Sequence, residues 1–246
     1  MDIIAKVFRG KIPSSRQGTY AFRGQADATW ELCSSARRRL KRLINEGHTQ
    51  TNGSEQTSNE KLYQSYHKDK LIDPARTAGF DIEEGREISD LQLLTKLQHF
   101  GAATGLIDFT WNPLIALWFA CEEHLEKDGK IFVVNLNDAR RYIGVSDRKE
   151  TIDKLFPPYD DRSLYWEPEV RSEAAARILV QHSVFVLARS HVLNEVEDAI
   201  PVEASDKNEI LEELADLGIT RLSLFRDIHG FSKVNEQGAP VSKMRL

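Results

Sequence analysis

Hydrophobic and polar positions alternate along this chain in short stretches of both periods. Residues 20–23 (YAFR) read as a strand. Ser34 or Ser35 opens a basic helix, ARRRLKRLINEG, that stops at Gly47. Residues 48–59 are polar and short of large apolar side chains, which is the composition of a mobile loop. A helix is expected over residues 60–72, where Leu62, Tyr63, Tyr66 and Leu71 fall near helical spacing, and residues 74–86 form an irregular connection. Ser89 caps the next helix, whose Leu91, Leu94 and Leu97 share a face and which Gly101 ends.

The centre of the pattern is the stretch 98–121, QHFGAATGLIDFTWNPLIALWFAC. Residues 106–109 form a short strand, Asn112 is an N-cap, Pro113 suits the first helical position, and Leu114, Ile115, Leu117, Trp118 and Phe119 bury the helix. Downstream, residues 130–136 (KIFVVNL) read as a central strand and residues 176–188 as a long strand with Gln181 and His182 in its middle. Asp206 and Glu209 form a capping-box pattern before a helix that Gly218 ends, and residues 221–225 resemble a short strand. Strands and helices are interspersed without regular βαβ spacing. This predicts an α+β fold with a mixed or mostly antiparallel sheet and flanking helices, in one domain over residues 1–246.

Composition narrows the class without naming it. The net charge of −5 gives no global basic signal for nucleic acid or an anionic membrane surface. No apolar run approaches the roughly 20 residues that span a bilayer, and the first residues lack the features of a signal peptide. Cys33 and Cys121 lie far apart in apolar surroundings, as buried thiols do in a reducing cytoplasm, so a cytoplasmic location is expected.

Several residues carry candidate chemistry. Arg23 ends a strand beside Gly24, where a guanidinium can hold a phosphate or carboxylate in two hydrogen bonds; a structural ion pair is the alternative. A second Phe-Arg-Gly at residues 8–10 lacks strand alternation and reads as coincidence. Asp108 and Thr110 stand at a helix N-terminus, where free N–H groups and a partial positive charge favour a site, or a simple cap. His99 can donate a hydrogen bond or act as a base, or sit as a satisfied core group. No HExxH, glycine-rich phosphate loop or GxSxG elbow occurs, and no metal is expected. Arg37, Arg38, Lys41 and Arg42 form a basic run that would grip nucleic acid or simply face solvent.

Four blocks, AFRGQADATW, LQHFGAATGLIDFTWNPLIALWFAC, ARILVQHSVFVL and LADLGITRLSLFRDIHGFSKV, resemble in order those of FRG-domain proteins, over residues 20–234. The family takes its name from the Phe-Arg-Gly motif, is mainly bacterial and is often found near mobile or defence-related genes, which implies a toxin or defence effector. Gly105 stands where the family usually has an arginine. The motif order is also distantly similar to that of NAD-using ADP-ribosyltransferases. That resemblance implies Arg23, His99, Asp108, Thr110 and Gln181 as catalytic residues, with Arg23, Gly24, Gln25, His99 and Asn112 holding NAD as co-substrate. Glu167, Glu169 and Glu173 are alternatives to Gln181, which lacks the charge of a catalytic glutamate. A macromolecular acceptor would be the partner of such an enzyme. The competing reading is a non-catalytic module that binds a nucleotide or nucleic acid.

Overall fold

The computed structural model describes residues 2–13, 18–48, 61–83, 85–141, 152–155, 163–167, 178–187, 196–226 and 232. In chain order its helices are α1 (Asp2–Phe8), α2 (Ser35–Asn45), α3 (Asp73–Thr77), α4 (Asp90–His99), α5 (Pro113–Cys121), α6 (Ile152–Leu155), α7 (Lys207–Asp216) and α8 (Arg221–Leu224). The strands are β1 (Tyr20–Gln25), β2 (Ile82–Glu83), β3 (Arg86–Glu87), β4 (Leu106–Thr110), β5 (Gly129–Asn135), β6 (Arg140–Arg141), β7 (Leu164–Trp166), β8 (Ser183–Leu187) and β9 (Val196–Val202). Seven strands make one sheet in the order β6-β7-β8-β4-β1-β5-β9, and β2 and β3 form a separate hairpin. Every ladder is antiparallel except β6–β7, so the fold is α+β with a mostly antiparallel mixed sheet.

Alternation along the strands makes two packed faces. On one, Phe22, Ile131, Val133, Ile200 and Val202 meet the apolar faces of α1, α5 and α7. Further along the same face, Leu106, Phe185 and Leu187 pack on residues of α2 and α4. On the other, Ala21, Ile107, Phe109, Phe132, Val134, Val184 and Val186 gather around Leu32 and Leu136. β5 lies between β1 and β9 and is apolar on both faces, as an interior strand should be.

Several elements differ from the sequence expectation for local reasons. Residues 60–72 do not make one α-helix: Tyr66–Ile72 is a π-helix, whose wider turn lets Tyr63, Tyr66, His67 and Ile72 all face inward. The strand expected over 176–188 begins only at Ser183, because 178–180 is a helical turn and His182 adopts a positive φ of 48°. Residues 221–224 are helical, since the Thr220 hydroxyl accepts the Ser223 N–H and closes a capping box. Asp206 makes no side-chain cap and accepts a hydrogen bond from Lys6 instead. Of the expected mobile loop, residues 49–59 lie outside the described residues.

Candidate functional site

The site begins with an incomplete strand pairing. β1 pairs with β5 along its whole length, from Tyr20–Asn135 to Gln25–Lys130, but with β4 only at Phe22–Thr110. Beyond that position the Asp108 carbonyl is taken by a side chain: Arg23 Nη1 donates to it at 2.7 Å and stands 4.0 Å from the Asp108 carboxylate. Arg23 alternates onto one face of the sheet and Asp108 onto the other, so they meet only because the two strands leave this gap.

A cleft of about 230 Å³ lies at the gap, lined by Arg23, Ser35, Arg38, Gln98 and Asp108, with Cys33, Ser34, Gly101, Ala102, Leu106 and Ile107 completing its wall. α2 supplies one side. Ser34 caps it by accepting the Arg37 N–H, which sets Ser35 and Arg38 on its first turn towards the cleft. Arg38 is tied by a 2.7 Å bond from Nη1 to the Cys33 carbonyl. α4 supplies the other side, where Gln98 Nε2 donates to both Asp108 oxygens at 2.8 and 2.9 Å. The cleft thus has a cationic end and a carboxylate end.

Burial lowers the pKa of Arg23, Asp108 opposes that shift, and nearby Arg38 adds to it. A guanidinium stays charged under such a shift. Its buried Nε–H finds no acceptor among the described residues, and Gln25 Oε1, also buried, finds no donor there. An anion in the cleft would relieve the cost of that cationic end.

The remaining candidates divide into those with structural tasks and those elsewhere. Gly24 was expected to let a ligand approach; a Cβ there would instead run into the Ala116 carbonyl of α5, so the glycine serves helix–sheet packing. Asn112 caps α5 by accepting the Leu114 N–H at 2.9 Å. The Thr110 hydroxyl donates to the Gln181 carbonyl at 2.7 Å and accepts the Asn112 N–H. Gln181 sits in the turn before β8 and donates to the Leu224 carbonyl, 3.1 Å. Neither Gln25 nor His99 lines the cleft; His99 lies at the end of α4, edge-on to exposed Phe100. Glu167 pairs with Arg141 beyond β7, and Glu169 and Glu173 lie outside the described residues.

The basic run is split by the helix period. Arg37 is buried with its guanidinium 4.1 Å from the Tyr63 ring centre, and Arg38 enters the cleft. Lys41 pairs with Glu31 and Arg42 with Glu46. The expectation of a solvated row of four cations therefore fails at Arg37. Sequence reasoning also missed Ser35 and Gly101–Ala102 as cleft residues, because only the docking of α2 against the carbonyl of residue 104 brings them together. No group of three or more metal-ligating side chains occurs among the described residues, and no helix there is long and apolar enough to cross a membrane.

Residues 18–129 match the family model of the FRG domain. The protein carries an FRG domain. The match takes in β1, α2, α4, β4 and α5, and so every residue that lines the cleft. The blocks at 176–187 and 214–234 lie beyond it. No curated protein and no solved structure matches the chain. Within the FRG domain, the tripeptide Phe22-Arg23-Gly24 divides its labour among core, cleft and helix contact.

Proposed function

We propose that the cleft binds the phosphate-and-ribose part of a nucleotide, that NAD is this nucleotide, and that the protein transfers its ADP-ribose to a macromolecular acceptor. One observation carries the reading: two guanidiniums and one carboxylate share a single cleft. Arg23 and Arg38 suit a phosphate, as charge-assisted donors do. Asp108 suits the hydroxyls and developing positive charge of a ribose ring. NAD would supply the activated ribose–nicotinamide bond. The cleft falls below the roughly 300–1,000 Å³ of enclosed ligand sites, so it covers one ribose-phosphate portion and leaves the remainder on the surface. Residues 1–246 act as one unit in this reading, in a reducing cytoplasm where the buried, unpaired Cys33 and Cys121 stay thiols.

A non-catalytic nucleotide-binding module is the second reading. It is favoured by the fact that Asp108 is the one carboxylate lining the cleft among the described residues, with Glu167 paired elsewhere. Binding to extended nucleic acid has less support, since Lys41 and Arg42 each face a glutamate.

Calorimetry with NAD on the parent, Arg38→Ala and Arg23→Ala tests both readings. Losing a charged hydrogen bond to phosphate should weaken binding about 10- to 100-fold in either variant. Arg38→Ala should fold and lose about 1 kcal/mol of stability, because the Cys33 carbonyl loses its donor. Arg23→Ala should also lose about 1 kcal/mol of stability, because the Asp108 carbonyl loses its donor. No binding by the folded parent would sink the nucleotide reading. Binding without nicotinamide release, in parent and Asp108→Asn alike, would favour the non-catalytic module.

A further inference from the structure

Behind the cleft stands a residue that touches no ligand position and yet controls the carboxylate. Thr104 is fully buried between α4 and β4. Its carbonyl accepts the Ala36 N–H at 2.9 Å and the Ser35 hydroxyl at 3.1 Å, which pins it to the first turn of α2. Its own hydroxyl oxygen accepts the Leu106 N–H at 3.3 Å, so its hydrogen is directed to the remaining neighbour, Gln98 Oε1.

That bond fixes which end of the Gln98 amide meets Asp108. With Oε1 held by Thr104, Nε2 must face the carboxylate, and it donates to both oxygens. The reversed amide would set a carbonyl oxygen against a carboxylate. A carboxyl group bonded on both oxygens by one amide nitrogen serves as an acceptor twice over, which is the behaviour of the ionised form. Arg23 Nη1, 4.0 Å from Oδ2, favours the same form.

From this chain of bonds we infer that Thr104, acting through Gln98, turns an N–H rather than a carbonyl towards Asp108 and so fixes its carboxylate as an oriented acceptor, and that this end of the cleft thereby selects a ribose with free hydroxyls over one carrying a 2′-phosphate. The selection rests on the nucleotide reading above; the positioning does not. A fixed carboxylate accepts from a hydroxyl donor and repels a phosphate, so the anionic part of the ligand is confined to the Arg23–Arg38 end. Thr104 is a positioning residue, since it reaches the ligand only through two other side chains.

The experiment has two arms on the full chain. In the first, the Asp108 carboxyl is titrated by carbon NMR, with Asp108→Asn identifying its signal. Thr104→Val should raise the midpoint, because the charged form loses an oriented donor, and Thr104→Ser should restore it. Gln98→Leu should raise it too, at a half-buried rather than a fully buried position, and stands in if Thr104→Val fails to fold. A midpoint unmoved in folded Gln98→Leu overturns the positioning role. In the second arm, binding of NAD and of its 2′-phosphorylated form is compared. The parent should prefer NAD by at least tenfold, and Thr104→Val should narrow that preference while Thr104→Ser keeps it. Equal affinity in the parent overturns the selection. If the parent binds neither, the nucleotide reading falls with the selection, and the first arm still decides whether Thr104 orients the Gln98 donor towards Asp108.

Discussion

Three consecutive residues of β1 face three different demands, and substitution should separate them. Phe22 is buried among α5 and the sheet, Arg23 reaches the cleft, and Gly24 lies under the α5 backbone. Gly24→Ala would push a methyl group into the Ala116 carbonyl and to 2.7 Å from the Ala120 nitrogen. Backbone in a helix cannot step aside as a side chain does, so the loss should reach about 3 kcal/mol or prevent folding. Gly105 makes the contrast. A Cβ there meets the Tyr63 hydroxyl and, at 2.7 Å, His67 Nε2, both of them side-chain ends. Gly105→Ala should therefore cost clearly less than Gly24→Ala in the same urea titration; equal losses would contradict this distinction. The sequence made Arg23 legible through its residue type and its glycine neighbour. It could not assign the glycine correctly, because the atoms that require it are more than 90 positions away.

At the scale of elements, pH reads out the packing of the π-helix. His67 Nδ1–H donates to the Tyr63 carbonyl, 2.6 Å away, in a buried site that lowers its pKa to about 4, chiefly through desolvation. The folded state then binds fewer protons than the unfolded one, whose histidine titrates near 6.5. Its contribution is complete above pH 6.5 and is lost as pH falls from there towards 4. Glu122 works in the opposite direction: burial raises its pKa to about 7 against the pull of Arg221, so its contribution fades as pH rises through 7. The difference between parent and His67→Gln isolates the histidine. Urea midpoints should fall less in the variant than in the parent between pH 7.5 and 5, and parallel curves would refute the buried neutral imidazole. Elements with self-contained signals were legible, such as α5 with its Asn112–Pro113 start and α4 with its Ser89–Gln92 capping box. The π-helix and the shortened β8 were not, because Tyr63, His67 and His182 answer to the core and to a turn rather than to local periodicity.

The whole molecule raises the question of whether the matched region can stand alone. Interspersed strands and helices made the α+β class readable, but strand order depends on pairings that no local pattern records: β1 lies between β4 and β5, and β4 between β1 and β8. The family match ends at Gly129, the first residue of β5. A fragment of residues 18–129 would keep β1 and β4, which pair with each other at one position, and lose the long ladders each makes with β5 and β8. It would also lose Lys207, whose buried ammonium donates to the carbonyls of Ala26, Glu123 and His124 and so ties α7 to the loops after β1 and α5. Ile131, Phe132, Val133, Val134, Val184 and Val186 leave the core with those strands. At about 1.5–3 kcal/mol for each buried side chain, that loss rivals the roughly 5–15 kcal/mol of net stability available to a domain. The fragment should show no cooperative thermal transition by circular dichroism and poor amide dispersion by NMR, whereas residues 1–246 melt cooperatively. A sigmoidal melt of the fragment would mean that β1 and β4 find another way to cover their edges, and the cleft between them would then have to be sought in that smaller unit.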